Sequence, residues 1–185
     1  MKAKILGTLL ACTIAAGCSS NAMMKSENPM VGGAPMFASK NIVENAVNSK
    51  DHTTLVAAVK AADLVDTLQS PGPFTVFAPT NAAFDKLPAG TVETLVKPEN
   101  KQMLTSILTY HVVPGTLDSN ALMADIKAGG GKAELTTVNG EKLTLMGMGN
   151  GITVTDEKGD VSKVTIADVY QKNGVIHVVD TVLLP

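Results

Sequence analysis

No arginine occurs in this chain, so all 15 of its basic residues are lysine, and tryptophan is absent as well. Nucleic-acid recognition leans on arginine forks for phosphate and guanine and on a basic surface. Neither is present here. With two tyrosines and no tryptophan, the chain also lacks stacking platforms for bases or sugars. Cysteine is almost as scarce: Cys12 and Cys18 are the pair, and both sit near the N-terminus. The rest of the chain therefore holds no disulfide and no thiol nucleophile, so a hydrophobic core alone must hold the fold. About 150 residues suffice for that in one domain.

What the N-terminus does contain is an address. Lys2 and Lys4 precede an apolar run, Ile5 to Ala16, too short to span a bilayer as a helix. A positive start, a short apolar core and small residues read as a secretory signal peptide over 1–17. "AAGC-SSN" then resembles the lipobox of bacterial lipoproteins, with Cys18 as the lipid attachment site and first mature residue; Ala15 stands where leucine is usual. "LLAC", ending at Cys12, is the rival, but it leaves a very short apolar core and more apolar chain behind it. Ser19 after the cysteine, in place of an aspartate, favours the outer membrane over inner-membrane retention. Ordinary cleavage nearby would instead give a periplasmic or secreted protein. Leaving out Lys2 and Lys4 puts 13 lysines against 17 acids, a formal charge of −4.

Residues 18–36 read as the lipidated cysteine and a flexible tether, rich in Ser, Asn, Pro, Gly and Met without helical or strand period. Its methionines have no His or Cys beside them to make a soft metal site. From 37 to 185 a single domain is expected. "NIVENAVN" and "TTLVAAVKAADLVDTL" carry helical spacing, the second with Leu55, Val59 and Ala62 on one face. "FTVFA" reads as a short buried strand. Thr80 follows as a helix N-cap, with Pro79 and Phe84 placed as a hydrophobic staple. "KPENKQMLTSILTY" and "DSNALMADI" give two more helices. The period then changes: "AELTTV-NG-EKLTLM" is a hairpin around Asn-Gly, and three further strands follow. Helices first and then a run of antiparallel strands make an α+β fold.

Catalytic and metal patterns find little support. "GMGNG" and "AGGGK" do not sit between a strand and a helix of a βαβ unit, as a phosphate loop requires, and read as hairpin connections. "TDEKGD" lacks the alternate-position ligands of a calcium loop and reads as a solvated turn. His52, His111 and His177 form no HxH or HExxH pair, and no Gly-x-Ser-x-Gly elbow occurs. No catalytic residue, metal or cofactor is expected. Along 175–184 one face carries Val175, His177, Val179 and Leu183 and the other Ile176, Val178, Asp180 and Leu184. That is how a strand covered on both sides reads, so His177 is expected to be a neutral, hydrogen-bonded core residue.

Three segments together resemble the signatures of the fasciclin domain: "TVFAPTNAAFDKLP" (75–88), "LTYHVVPG" (108–115) and "NGVIHVVDTVLLP" (173–185). The resemblance covers residues 37–185. It implies a β-wedge of antiparallel strands with helices packed around it, and a non-catalytic adhesion or protein-interaction module. It also places Thr80, His177 and Asp180 in the structural motif. In animal relatives the tyrosine–histidine segment is associated with integrin binding, which makes Tyr110 and His111 the candidate interaction residues; the same residues serve packing. The partner implied is a protein or polymer of the envelope or of another cell, with membrane contact through the lipid. The alternative function is a periplasmic small-molecule binding or carrier protein with an apolar pocket.

Overall fold

The computed structural model describes residues 28–149 and 151–185; Cys18, the signal segment and most of the tether lie outside them. The tether does not reach residue 36. Strands β1 (Met30–Val31) and β2 (Ala34–Pro35) form a small hairpin. Gly32 and Gly33 turn it with left-handed φ of 59° and 75°. Val31 and Met36 are buried in the core. Two apolar residues in a Gly-Pro-rich stretch carry no period, which is why the hairpin escapes the sequence.

Helix α1 (Ile42–Ala46) opens with a capping box, in which Asn41 accepts from the Glu44 amide and Glu44 reaches back to the Asn41 amide. The long apolar pattern that follows is two helices, α2 (Thr53–Ala61) and α3 (Val65–Gln69). Asp63 breaks them with a left-handed φ of 55°. Aspartate tolerates that conformation better than most residues, and the break lets α3 turn back toward α1. Helices α4 (Asn81–Asp85), α5 (Thr91–Leu95), α6 (Lys101–Tyr110) and α7 (Ser119–Ala128) complete the set.

The main sheet runs β4-β3-β9-β8-β7-β6-β5. Its strands are β3 (Phe74–Pro79), β4 (Val112–Pro114), β5 (Lys132–Thr136), β6 (Lys142–Met148), β7 (Gly151–Thr155), β8 (Val161–Gln171) and β9 (Gly174–Val179). The expected antiparallel wedge is a mixed one: β3 and β9 pair in parallel, from Phe74 opposite Gly174 to Pro79 opposite Val179. The other pairs in this sheet are antiparallel. The Val138 amide donates to the Val112 carbonyl at 2.8 Å, so the chain just past β5 meets β4 and the sheet nearly closes on itself. "AGGGK" joins α7 to β5 and is no hairpin connection, whereas "GMGNG" does join β6 to β7. Strand β9 ends at Val179; the alternation through Leu184 continues burial without strand structure, since Val182 and Leu183 are both buried.

Two apolar clusters lie on opposite faces of β3 and β9. Ile176 and Val178 face one, filled by α1, α2, α3 and α6. Phe77 and Val179 face the other, filled by α7, β6 and β7. This two-sided burial is what a near-continuous apolar strand predicts.

Candidate functional site

The signature segments come together in space as neighbouring strands β4, β3 and β9 with the ends of α4 and α6. Their polar side chains can be followed one by one.

His111 is the C-cap of α6 and is 3% exposed. Its Nε2 accepts from the Leu183 amide at 3.0 Å, which fixes the proton on Nδ1, and Nδ1 donates to the Ile107 carbonyl at 2.8 Å. Burial drives its pKa down to about 4 against the opposing Ile107 carbonyl and Asp156. The ring therefore stays neutral near pH 7 and ties α6 to the chain's last residues. Asp156 extends that tie by accepting from the Leu184 amide at 3.0 Å.

Tyr110 is fully buried. Its hydroxyl donates to the Lys142 carbonyl at 2.9 Å and accepts from the Glu157 amide at 3.2 Å, joining α6 to β6 and to the β7–β8 turn. Burial is the main cause pushing its pKa up to about 12. Both candidate interaction residues thus spend their polar atoms inside the domain and offer no side-chain surface to a partner. The integrin-type reading of this segment does not fit them. Tyr110→Phe keeps the ring but strands the Glu157 amide and the Lys142 carbonyl. It is expected to cost about 1–3 kcal/mol in a urea titration.

His177 is fully buried in the middle of β9. Nε2 donates to the Leu117 carbonyl at 2.8 Å and Nδ1 accepts from the Asp168 amide at 3.4 Å. The ring stacks on Phe77 with centroids 5.7 Å apart. Burial lowers its pKa despite Leu117, Asp168 and Asp118. The ring ties β9 to the loop before α7.

Thr80 caps α4, its hydroxyl accepting from the Ala83 amide at 3.3 Å. Thr80→Ala should lower stability by about 1 kcal/mol, read from the shift in urea midpoint. Asp180 Oδ1 accepts from the Lys163 amide at 2.8 Å and the Thr181 hydroxyl at 3.1 Å, and Oδ2 lies 3.5 Å from Lys86 Nζ. Burial alone would raise its pKa, but the Lys163 amide, Thr181 and Lys86 together hold it below the usual carboxylate value. It pins the end of β9 to β8.

Two asparagines do comparable work. Asn173 accepts from the Ile42 amide at 3.1 Å and donates to the Leu68 and Ser70 carbonyls at 2.7 and 3.0 Å. In the sequence it is merely the first letter of a turn. Asn45, also buried, holds both backbone groups of Phe37 and the amide oxygen of Gln171. Among the described residues no group of three His, Cys, Asp or Glu is placed to hold a metal ion. No helix there is long and apolar enough to cross a membrane.

Among the described residues, a mixed, nearly closed sheet ringed by seven α-helices, with His111, Tyr110 and His177 buried against it, defines a compact α+β fold. The fasciclin-domain family model matches residues 50–185, and the chain belongs to that family. It is 49% identical to protein sll1483 of Synechocystis, over 86% of this chain and 81% of that one. It is 40% identical to immunogenic protein MPB70 of Mycobacterium bovis, over 76% of this chain and 66% of that one. Cell surface glycolipoprotein MPB83 of the same species is 32% identical over 93% of this chain and 72% of its own length. Among solved structures, a FAS1 domain pair from the insect cell adhesion molecule Fasciclin I superposes with a TM-score of 0.70 at 19% identity. The match covers 79% of this chain and 51% of that two-domain chain, a likeness of fold.

Proposed function

We propose that this protein is an exported adhesion or protein-interaction module, without catalytic activity, held to the bacterial envelope by a lipid on Cys18. The observation that carries the reading is membership of a family whose relatives include a cell surface glycolipoprotein and a cell adhesion molecule. The site chemistry supports it, since His111, His177 and Tyr110 are satisfied by backbone groups. Many copies on one membrane gain avidity, so weak single contacts are enough.

With the signature pair buried, contact must be made by the surface. One groove of about 450 Å³ is walled by Pro71, Pro73, Thr116, Asn41, Lys172 and Tyr170. Tyr170 is 46% exposed, and its hydroxyl is already oriented toward Asp118 Oδ2 at 3.3 Å. A pre-oriented tyrosine loses little entropy on contact, which suits an anchor residue. Protein-coated beads should clump, or bind whole cells, and Tyr170→Ala should weaken this several-fold with an unchanged melting temperature. Folded wild-type protein that binds neither cells nor itself would sink the adhesion reading.

A further inference from the structure

If contact is made at the Tyr170 groove, as proposed above, the chemistry of the groove narrows the partner. Composition offers two tyrosines and no tryptophan, which reads as a chain without stacking platforms. The structure corrects that reading at one place. Tyr110 is buried, but Tyr170 stands exposed in the groove wall, steadied by its hydroxyl contact with Asp118 Oδ2. Pro71 and Pro73, both exposed, add two rigid apolar rings to the same wall. The groove's volume of about 450 Å³ falls within the roughly 300–1,000 Å³ of small-ligand sites.

Main-chain amides around the groove are already paired. Gly72 donates to the Ser70 carbonyl at 2.8 Å, Phe74 to Asn173 at 3.0 Å, Gly115 to Pro73 at 2.9 Å and Lys172 to Lys40 at 2.8 Å. Pro71 and Pro73 have no amide to offer. Strand β8 stays paired with β9 as far as Gln171 opposite Gly174. An extended peptide thus finds no strand edge to lengthen, and a single tyrosine falls short of the aromatic-lined groove that a polyproline helix needs. Side chains remain. Among the described residues, the Gln69 amide, the Thr116 hydroxyl and the Lys172 ammonium make no side-chain hydrogen bond, and all three residues are exposed. Asn41 uses its oxygen on the Glu44 amide, which leaves its NH2 group. Asp118, beyond Tyr170, is engaged by the Ala121 amide and the tyrosine hydroxyl.

Neutral donors and acceptors set around one aromatic ring and two pyrrolidines suit a ligand that is apolar on its faces and hydroxylated at its edges. A pyranose sugar has that form. Among the described residues lining the groove, Lys172 is the one charged side chain, so the complementary sugar carries an acid. We infer that the groove binds an acidic polysaccharide built of hexuronate residues. A pyranose face lies on Tyr170, hydroxyls meet Asn41, Gln69 and Thr116, and the carboxylate sits at Lys172. One such contact is weak, but a repeating polymer meets many copies of the domain on one surface.

The test titrates the purified protein with a galacturonate trisaccharide, a neutral glucose trisaccharide and tetraglutamate. NMR follows the side-chain NH2 signals of Asn41 and Gln69 and the ring of Tyr170. The acidic sugar is expected to shift all three and to bind about two- to fivefold tighter than the neutral one. Tetraglutamate should shift none. Tyr170→Ala should weaken the acidic sugar about five- to tenfold, while Tyr170→Phe, which keeps the ring, binds as wild type does. Lys172→Gln should bring the acidic sugar down to the affinity of the neutral one. Melting temperatures equal to wild type show that each variant is folded. Neither sugar shifting these signals overturns the site, and tetraglutamate shifting them as well as the acidic sugar reduces it to a charge contact. Equal affinity for the two sugars overturns the acidic specificity. Bead and cell binding is a separate readout. Adhesion that depends on Tyr170 without any sugar binding leaves a protein partner and removes the polysaccharide; sugar binding without adhesion keeps this site and removes the adhesion reading.

Discussion

His111→Ala is expected to lower the unfolding free energy by about 3–5 kcal/mol. The substitution removes a buried ring that joins the Ile107 carbonyl to the Leu183 amide, the latter 72 residues along the chain from the ring. Both backbone groups are left unpaired in a region where water has no access, and a void replaces the imidazole. Against a total of about 5–15 kcal/mol for a domain, that is a third or more. The melting temperature should fall by roughly 10–15 °C for a domain of this size. Thermal melts of the two proteins decide it, and an unchanged midpoint would mean that the ring is not the strut described here. A binding assay on this variant reports folding first, so only variants at exposed positions such as Tyr170 can test adhesion.

Acid is expected to loosen the fold well above the range where carboxylates titrate. His111 has a folded pKa of about 4 against 6.5 for a free imidazole, because burial disfavours its charge. The unfolded chain therefore binds the proton first. The stability this ring supplies is fully present above about pH 6.5 and is lost as pH falls toward 4, amounting to about 3 kcal/mol. His52 and His177 are shifted downward for the same reason and add with the same sign. Urea midpoints measured from pH 7.5 down to 4.5 should drop continuously, with net proton uptake on unfolding of up to three. A flat profile over that range would show that the imidazoles are solvent-open in the folded chain. Asp180, held below its usual value, begins to contribute the same kind of loss only at lower pH.

Much of this architecture is legible from local chemistry. Thr80 caps α4 because a hydroxyl before an apolar run has a free amide to accept from. Asn139-Gly140 turns between β5 and β6, with Gly140 at a left-handed φ of 91°. His177 sits between apolar neighbours on both faces and finds two backbone partners, as a buried imidazole must. What escaped the sequence depends on distant residues. Apolar spacing continues across Asp63, so α2 and α3 read as one helix until the chain's return toward α1 is known. The parallel register of β3 with β9 spans about a hundred residues and leaves no periodic trace in either strand. Tyr110 could be surface or core on its spacing alone; its two backbone partners lie 32 and 47 residues away. Nothing local marks His52 as buried, since strand residues such as Val76 and Ala78, more than 20 positions away, line the same space.

Among the described residues, the strand made latest is among the first needed. β9 lies between β3 and β8, pairs with both, and carries the residues that cover both faces of the sheet. Until residue 179 has emerged from the ribosome, β3 has β4 alone for a partner and the two apolar clusters have no wall between them. Helices α1 to α6 must wait, unpacked, for β9. Pairings of such long sequence separation also slow folding itself. A chain interrupted before residue 174 would accordingly be a protease substrate, and a chain that includes β9 gains its resistance in a single late step.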